Sequence, residues 1–151
     1  MSGLRRGLVL LLAVCVLTGC GLFGPKHASL RSLSVSADPG ANSGNGTQFD
    51  IVVVYSSNAG AMMPKTGPDW FRQRDALKKA LGQDIEVVSV ESVAPDDVFA
   101  VDLPRKTRKK GLAVYVFADY VAPEGWPPIA LTTYKNVALR LQATSIELSE
   151  K

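Results

Sequence analysis

Residues 112–120, Leu-Ala-Val-Tyr-Val-Phe-Ala-Asp-Tyr, alternate two apolar sets, with Leu112, Val114, Val116 and Ala118 on one side and Ala113, Tyr115 and Phe117 on the other. A strand that is apolar on both sides has to be covered on both, so it is expected at the centre of a sheet. Residues 49–55, Phe-Asp-Ile-Val-Val-Val-Tyr, follow a similar pattern: Phe49, Ile51, Val53 and Tyr55 share one face, Val52 and Val54 the other. Around these two, shorter runs of period 2 occur at residues 30–37, 85–93, 98–103, 129–132, 137–141 and 145–148, separated by Pro, Gly, Asp or Lys-rich turns. One stretch has a period of 3.6. It starts at Pro68 and Asp69, carries Trp70, Leu77 and Leu81 on one face with Phe71 beside them, turns Arg72, Gln73, Lys78 and Lys79 outward, and stops at Gly82. A helix of about thirteen residues does not hold alone in water, so its Trp and Leu face has to dock on a sheet. Seven or eight strands and one helix predict a mainly β chain, a sandwich or a barrel.

The chain has 151 residues, 17 Lys and Arg against 14 Asp and Glu, one His and two Cys. This is enough for one domain with its own core. A single His and two Cys leave no His-rich metal site and no thiol-based metal or redox site. There is no Gly-rich phosphate loop with its Lys, no G-x-S-x-G and no His pair at i, i+4. His27 lies in a Gly- and Pro-bearing segment where no general base is held in place, and Asp96 and Asp97 belong to a turn rather than to a carboxylate pair. We expect no enzyme, no cofactor, no metal, no nucleic acid and no small-molecule substrate.

The first residues are a targeting segment. Arg5 and Arg6 precede ten apolar residues, 8–17 (LVLLLAVCVL), which rise only about 15 Å as a helix, half of a hydrocarbon core of about 30 Å. The run Leu17-Thr18-Gly19-Cys20 resembles the lipobox of bacterial lipoproteins, which implies cleavage before Cys20 and acylation of its thiol with chains such as palmitate. The expected organisation is a signal peptide at 1–19, a lipidated tether at 20–29 and a β-sandwich domain at 30–151. Several acyl chains anchor a protein to a membrane without crossing it. Inner-membrane lipoproteins resemble one another in having Asp after the cysteine, and Gly21 stands here, so the expected place is the periplasmic face of an outer membrane.

Two loops carry the remaining signals. Residues 38–47 hold three Gly, one Pro, two Asn and no large apolar group, and read as an exposed loop. Arg105, Lys106, Arg108, Lys109 and Lys110 place five positive charges in six residues; they are a contact for anionic headgroups, murein or an acidic partner, or the solvated tip of a hairpin. Trp126-Pro127-Pro128 is a stiff aromatic turn, either an end-cap of the sandwich or an exposed anchor, and Met62 and Met63 read as core filling.

In their order these features resemble the TssJ family, the outer-membrane lipoproteins of type VI secretion systems. The residues carrying the likeness are Val35-Ser36-Ala37-Asp38-Pro39 with Asn42, Val52-Val53-Val54-Tyr55, Trp70-Phe71 leading to Ala80-Leu81-Gly82, then 112–120, Trp126 and Val137-Ala138-Leu139-Arg140-Leu141. The resemblance implies a transthyretin-like two-sheet β-sandwich of seven to eight strands with one inserted helix. It also implies a non-catalytic role, docking the periplasmic region of the inner-membrane protein TssM to build the trans-envelope complex. The docking element it implies maps to Pro39, Gly40, Ala41, Asn42, Ser43, Gly44, Asn45, Gly46 and Thr47. A cell-wall or headgroup-binding lipoprotein using the basic tip is the alternative.

Overall fold

A computed structural model describes residues 26–122 and 125–151. The signal peptide and the lipobox with Cys20 lie outside the described residues. Among the described residues there are eight strands: β1 (Ser32–Ala37), β2 (Thr47–Val54), β3 (Ile85–Val93), β4 (Val98–Val101), β5 (Ala113–Ala118), β6 (Ile129–Ala130), β7 (Asn136–Leu141) and β8 (Ile146–Glu150). They form two four-stranded sheets, ordered β4-β1-β7-β8 and β3-β2-β5-β6. The pair β1 and β7 runs parallel, from Ser32 opposite Asn136 to Ala37 opposite Leu141, and the other pairs are antiparallel.

The two strands with apolar residues on both sides, β2 and β5, pair with each other at the middle of one sheet. Their inner faces, Phe49, Ile51, Val53, Val114 and Val116, meet Leu33 and Val35 of β1 and Leu139 and Leu141 of β7 in the main core. Each such side chain contributes about 1.5–3 kcal/mol by leaving water. Their outer faces, Val52, Val54 and Phe117, are covered by the helix predicted to dock there, α2 (Gly67–Leu81), through Trp70, Leu77 and Leu81. Trp70 stacks on Phe117 with ring centroids 4.8 Å apart. The outer face of the other sheet is left to Ser32, Ser34, Ser36 and Arg140, the polar half of the alternation.

Local chemistry sets the ends of α2. The Thr66 hydroxyl oxygen accepts the Asp69 N–H at 3.2 Å and caps the helix two residues before the sequence signal at Pro68. Gly67 is required by space: a Cβ there would stand 2.2 Å from the Ala118 carbonyl oxygen. Gly82, at φ 50°, ends the helix in a backbone state that other residues adopt at a cost.

Ala28 is buried and its N–H donates to the Gly111 carbonyl at 2.7 Å, so the packed residues reach back to Ala28. Three expectations are corrected. The basic run is not a hairpin tip: β4 and β5 belong to different sheets, and the segment between them is a crossover containing a short helix, α3 (Thr107–Lys110). The connection before α2 contains another short helix, α1 (Ser57–Ala61), and Met62 beyond it is exposed while Met63 packs under α2. The loop at 38–47 is not uniformly exposed, as the site geometry shows.

Candidate functional site

Strand registers sort the connections onto two ends of the sandwich. At one end lie 38–46 between β1 and β2, 94–97 between β3 and β4, 119–122 and 125–128 between β5 and β6, and 142–145 between β7 and β8. At the other lie the chain entry at 26–31, the β4–β5 crossover, the turn at 131–135 and the turn from α2 into β3. Strands of six to eight residues put these ends about 20–26 Å apart.

Asn42 organises the first end. Although the connection has no large apolar residue, Ala41, Asn42 and Thr47 are buried, leaving Pro39, Gly40, Ser43, Gly44, Asn45 and Gly46 exposed. The Asn42 side chain reaches the strand-end of β5, accepting the Val121 N–H on Oδ1 at 2.7 Å and donating from Nδ2 to the Asp119 carbonyl at 3.3 Å. Its backbone N–H is shared between the Tyr120 hydroxyl at 3.2 Å and the Gln142 carbonyl at 3.0 Å, and Tyr120 donates its own proton to that carbonyl. Ser43 N–H bonds the Ala143 carbonyl at 3.0 Å. Asn42 and Ser43 hold φ of 49° and 56°, the left-handed region that Asn tolerates better than most residues. One residue thus ties three connections together. The exposed tip is presented on a fixed base rather than on a free loop.

The surroundings are packed as well. Trp126 lies against Tyr120 at 5.8 Å, which makes the stiff turn an end-cap. Arg140 Nε donates to Asp38 Oδ1 at 2.8 Å where the connection leaves β1. Burial, with a further push from Asp38, raises the Tyr120 hydroxyl pKa above the usual phenol value. Asp97 accepts the Ala94 N–H at 2.7 Å and Asp96 has φ 68°, so this pair forms the turn expected of it.

At the opposite end the five basic residues divide. Lys106 turns to Glu86, 3.6 Å away, and lies over the Tyr55 ring at 5.1 Å, while Tyr55 donates to Glu86 at 2.8 Å. Burial first, then Glu86, pushes the Tyr55 pKa well up. Arg105, Arg108 and Lys109 face a cleft beside the chain entry, and Lys110 is exposed outside its lining. His27 is exposed. Among the described residues no group of three His, Cys, Asp or Glu comes together to hold a metal, and no helix is long and apolar enough to cross a membrane.

The sequence pattern gave no sign of Asp50. It is fully buried in β2 on the α2 side, where its Oδ2 accepts Trp70 Nε1–H at 2.8 Å and lies 3.5 Å from Arg74 Nη1. Its partners stand 20 and 24 residues away, so only a lone acid inside an apolar strand could have marked it.

A two-sheet sandwich with a helix laid over one outer face is a TssJ-like fold. The chain is similar to the crystal structure of the T6SS lipoprotein TssJ1 from Pseudomonas aeruginosa, at 13% identity and a TM-score of 0.61, over 81% of this chain and 95% of that one. It is also similar to Serratia marcescens Lip, a membrane-bound component of the type VI secretion system, at 12% identity and a TM-score of 0.51, over 80% and 95% of the two chains. A chain of a type VI membrane complex matches at 14% identity and a TM-score of 0.55, over 82% and 98%. No protein-family model and no curated protein sequence matches the chain.

Proposed function

We propose that this protein is an acylated envelope lipoprotein of a type VI secretion system, anchored through Cys20 to the periplasmic face of the outer membrane. Its task is structural: it holds the periplasmic region of a TssM-like inner-membrane subunit by the connection at 39–47. The observation that carries the reading is the polarity of the sandwich. The chain enters from its lipobox side at Ala28 on one end, and the Asn42-pinned connection projects from the opposite end. A protein fixed to a membrane at one end is free to hold a partner at the other. Preorganisation of the tip lowers the ordering cost of that contact. The similarity in fold to T6SS lipoproteins supports the same reading.

The test adds bulk to the exposed tip without strain. A Cβ at Gly40 meets nothing within 4 Å, and Asn45 has extended backbone at φ −92° and ψ 147°. The double variant Gly40→Arg, Asn45→Arg is expected to lower capture of the TssM periplasmic region at least about tenfold, the scale of losing one or two central contacts, with the melting temperature within about 5 °C, the scale of the one Asn45 side-chain hydrogen bond to the Asn42 carbonyl that it gives up. Undiminished capture by a folded variant removes this connection as the docking element.

A further inference from the structure

The basic end holds a cleft that the docking role leaves unused. Two adjoining cavities of about 450 and 350 Å³ share Arg31, Arg105, Arg108 and Lys109 in their walls, and Lys135 closes the second. Volumes of about 300–1,000 Å³ are typical of sites for small molecules. The charges come from three separated parts of the chain, and folding brings them together: Arg31 at the entry, the α3 crossover, and Lys135 in the turn before β7. Backbone bonds fix this meeting, because Arg31 N–H donates to the Lys135 carbonyl at 2.7 Å and Ala28 N–H to the Gly111 carbonyl at 2.7 Å. No carboxylate lines either cavity, and none of the five cations is ion-paired among the described residues. Lys106, by contrast, is neutralised by Glu86. Five unpaired cations around an open cleft raise the local concentration of anions and fit the oxygens of a phosphate, with the Arg forks giving two-point contacts.

The occupant follows from the position. Ala28, the first buried residue of those described, and Ser29 form part of the wall of the cleft. Residues 20–27 span at most about 29 Å when extended, so a chain acylated at Cys20 keeps this mouth close to the surface that holds its lipid. We propose that the cleft seats the phosphate of an anionic glycerophospholipid in the anchoring membrane, which turns the domain so that its Asn42 end points away from the bilayer. The proposal rests on the anchored reading of the chain, and its test reads the two separately.

The full-length protein is placed in nanodiscs of phosphatidylcholine alone or with about one third phosphatidylglycerol at near-physiological salt, where surface attraction falls off within about 8 Å. Amine-reactive labelling is then mapped by mass spectrometry. Labelling of Lys109 and Lys135 is expected to fall at least about fivefold in the phosphatidylglycerol discs, and that of the exposed Lys65, just before the start of α2 at the Asn42 end, to stay the same. Arg31→Gln with Arg108→Gln should abolish the protection and Lys106→Gln should preserve it, both with unchanged circular dichroism. Equal labelling of Lys109 and Lys135 in the two discs overturns the proposal. So does protection in phosphatidylcholine discs by dissolved glycerol 3-phosphate, which would assign a soluble phosphate, or by soluble murein fragments, which would assign the cell wall. The mass of the Cys20 peptide and capture of the TssM region, measured on the same samples, report on anchor and docking independently of this result.

Discussion

Replacing Asn42 by Ala removes two side-chain hydrogen bonds, to the Val121 N–H and the Asp119 carbonyl, from a residue that is 2% exposed. Each is worth about 0.5–1.5 kcal/mol net. Val121 is 57% exposed, so water takes over part of its lost bond and the lower half of that range applies to it. A second contribution is conformational: φ at this position is 49°, and since asparagine already carries a Cβ there, the change to alanine loses only asparagine's several-fold preference for the left-handed region, about 0.5–1 kcal/mol. The two together predict a loss of about 1.5–3.5 kcal/mol, or roughly 10 °C in melting temperature for a domain of this size. Urea and thermal unfolding followed by circular dichroism give the total. Asn42→Gly separates the parts, since it loses the same bonds but relieves the backbone, and should be milder than Asn42→Ala by about 1 kcal/mol. Amide exchange at residues 40–46 should quicken in both variants, because the base of the tip has lost its hold on β5. A loss under about 0.5 kcal/mol for Asn42→Ala, or equal losses for Ala and Gly, refutes the view that Asn42 is the pin of this end.

Two further perturbations probe the rest of the fold. Trp70→Phe keeps an aromatic ring against Phe117 but strips Asp50 of its 2.8 Å donor, leaving a buried carboxylate with only Arg74 nearby, and should cost about 2–4 kcal/mol in urea unfolding. Asp50→Val should then cost at least about 1 kcal/mol less in the Trp70→Phe background than in the native one, and additive losses would show that the pair is not coupled. Tyr55 and Tyr120 both hold their protons above the ordinary phenol pKa, so the folded state binds more protons than the unfolded one once the pH passes about 10. Their contribution is complete below that pH and is lost as it rises towards the folded-state values. Phenolate absorbance should show these two ionising together with unfolding, and Tyr55→Phe, Tyr120→Phe should flatten the alkaline fall in stability; an unchanged fall would assign it to other groups.

The central strands and the helix were legible because their signal is local. In 49–55 and 112–120 the alternation itself says that both faces are covered, and Trp70, Leu77 and Leu81 recur at helical spacing within one segment. What escaped depends on partners far along the chain. The connection at 38–47 looked free because nothing in it is large and apolar, yet its order comes from main-chain groups at 119–121 and 142–143, which no window around Asn42 contains. The charge run at 105–110 was visible, but period 2 does not say which sheet a strand joins, so a crossover between sheets read as a hairpin tip. Arg31 and Lys135, two of the five cations that make the cleft basic, are isolated cations in sequence and gain meaning only through the parallel pairing of β1 with β7.

That parallel pairing bears on the proposed task more directly than any surface residue does. β1 is the first strand among the described residues, and in a single pass it carries the chain from Ser32, at the end proposed to be anchored, to the connection that Asn42 pins just beyond Ala37. In the proposed arrangement a load between membrane and partner would run along β1. The strand is flanked on both sides, by six residue pairs with β7 and four with β4, so a pull along its axis has to shear these ladders together rather than open them one bond at a time. Beneath it Leu33 and Val35 are locked in the main core, and sliding by one residue would turn both out to solvent. The ladders that hold β1 in its sheet thus also make this path between the two ends resist extension.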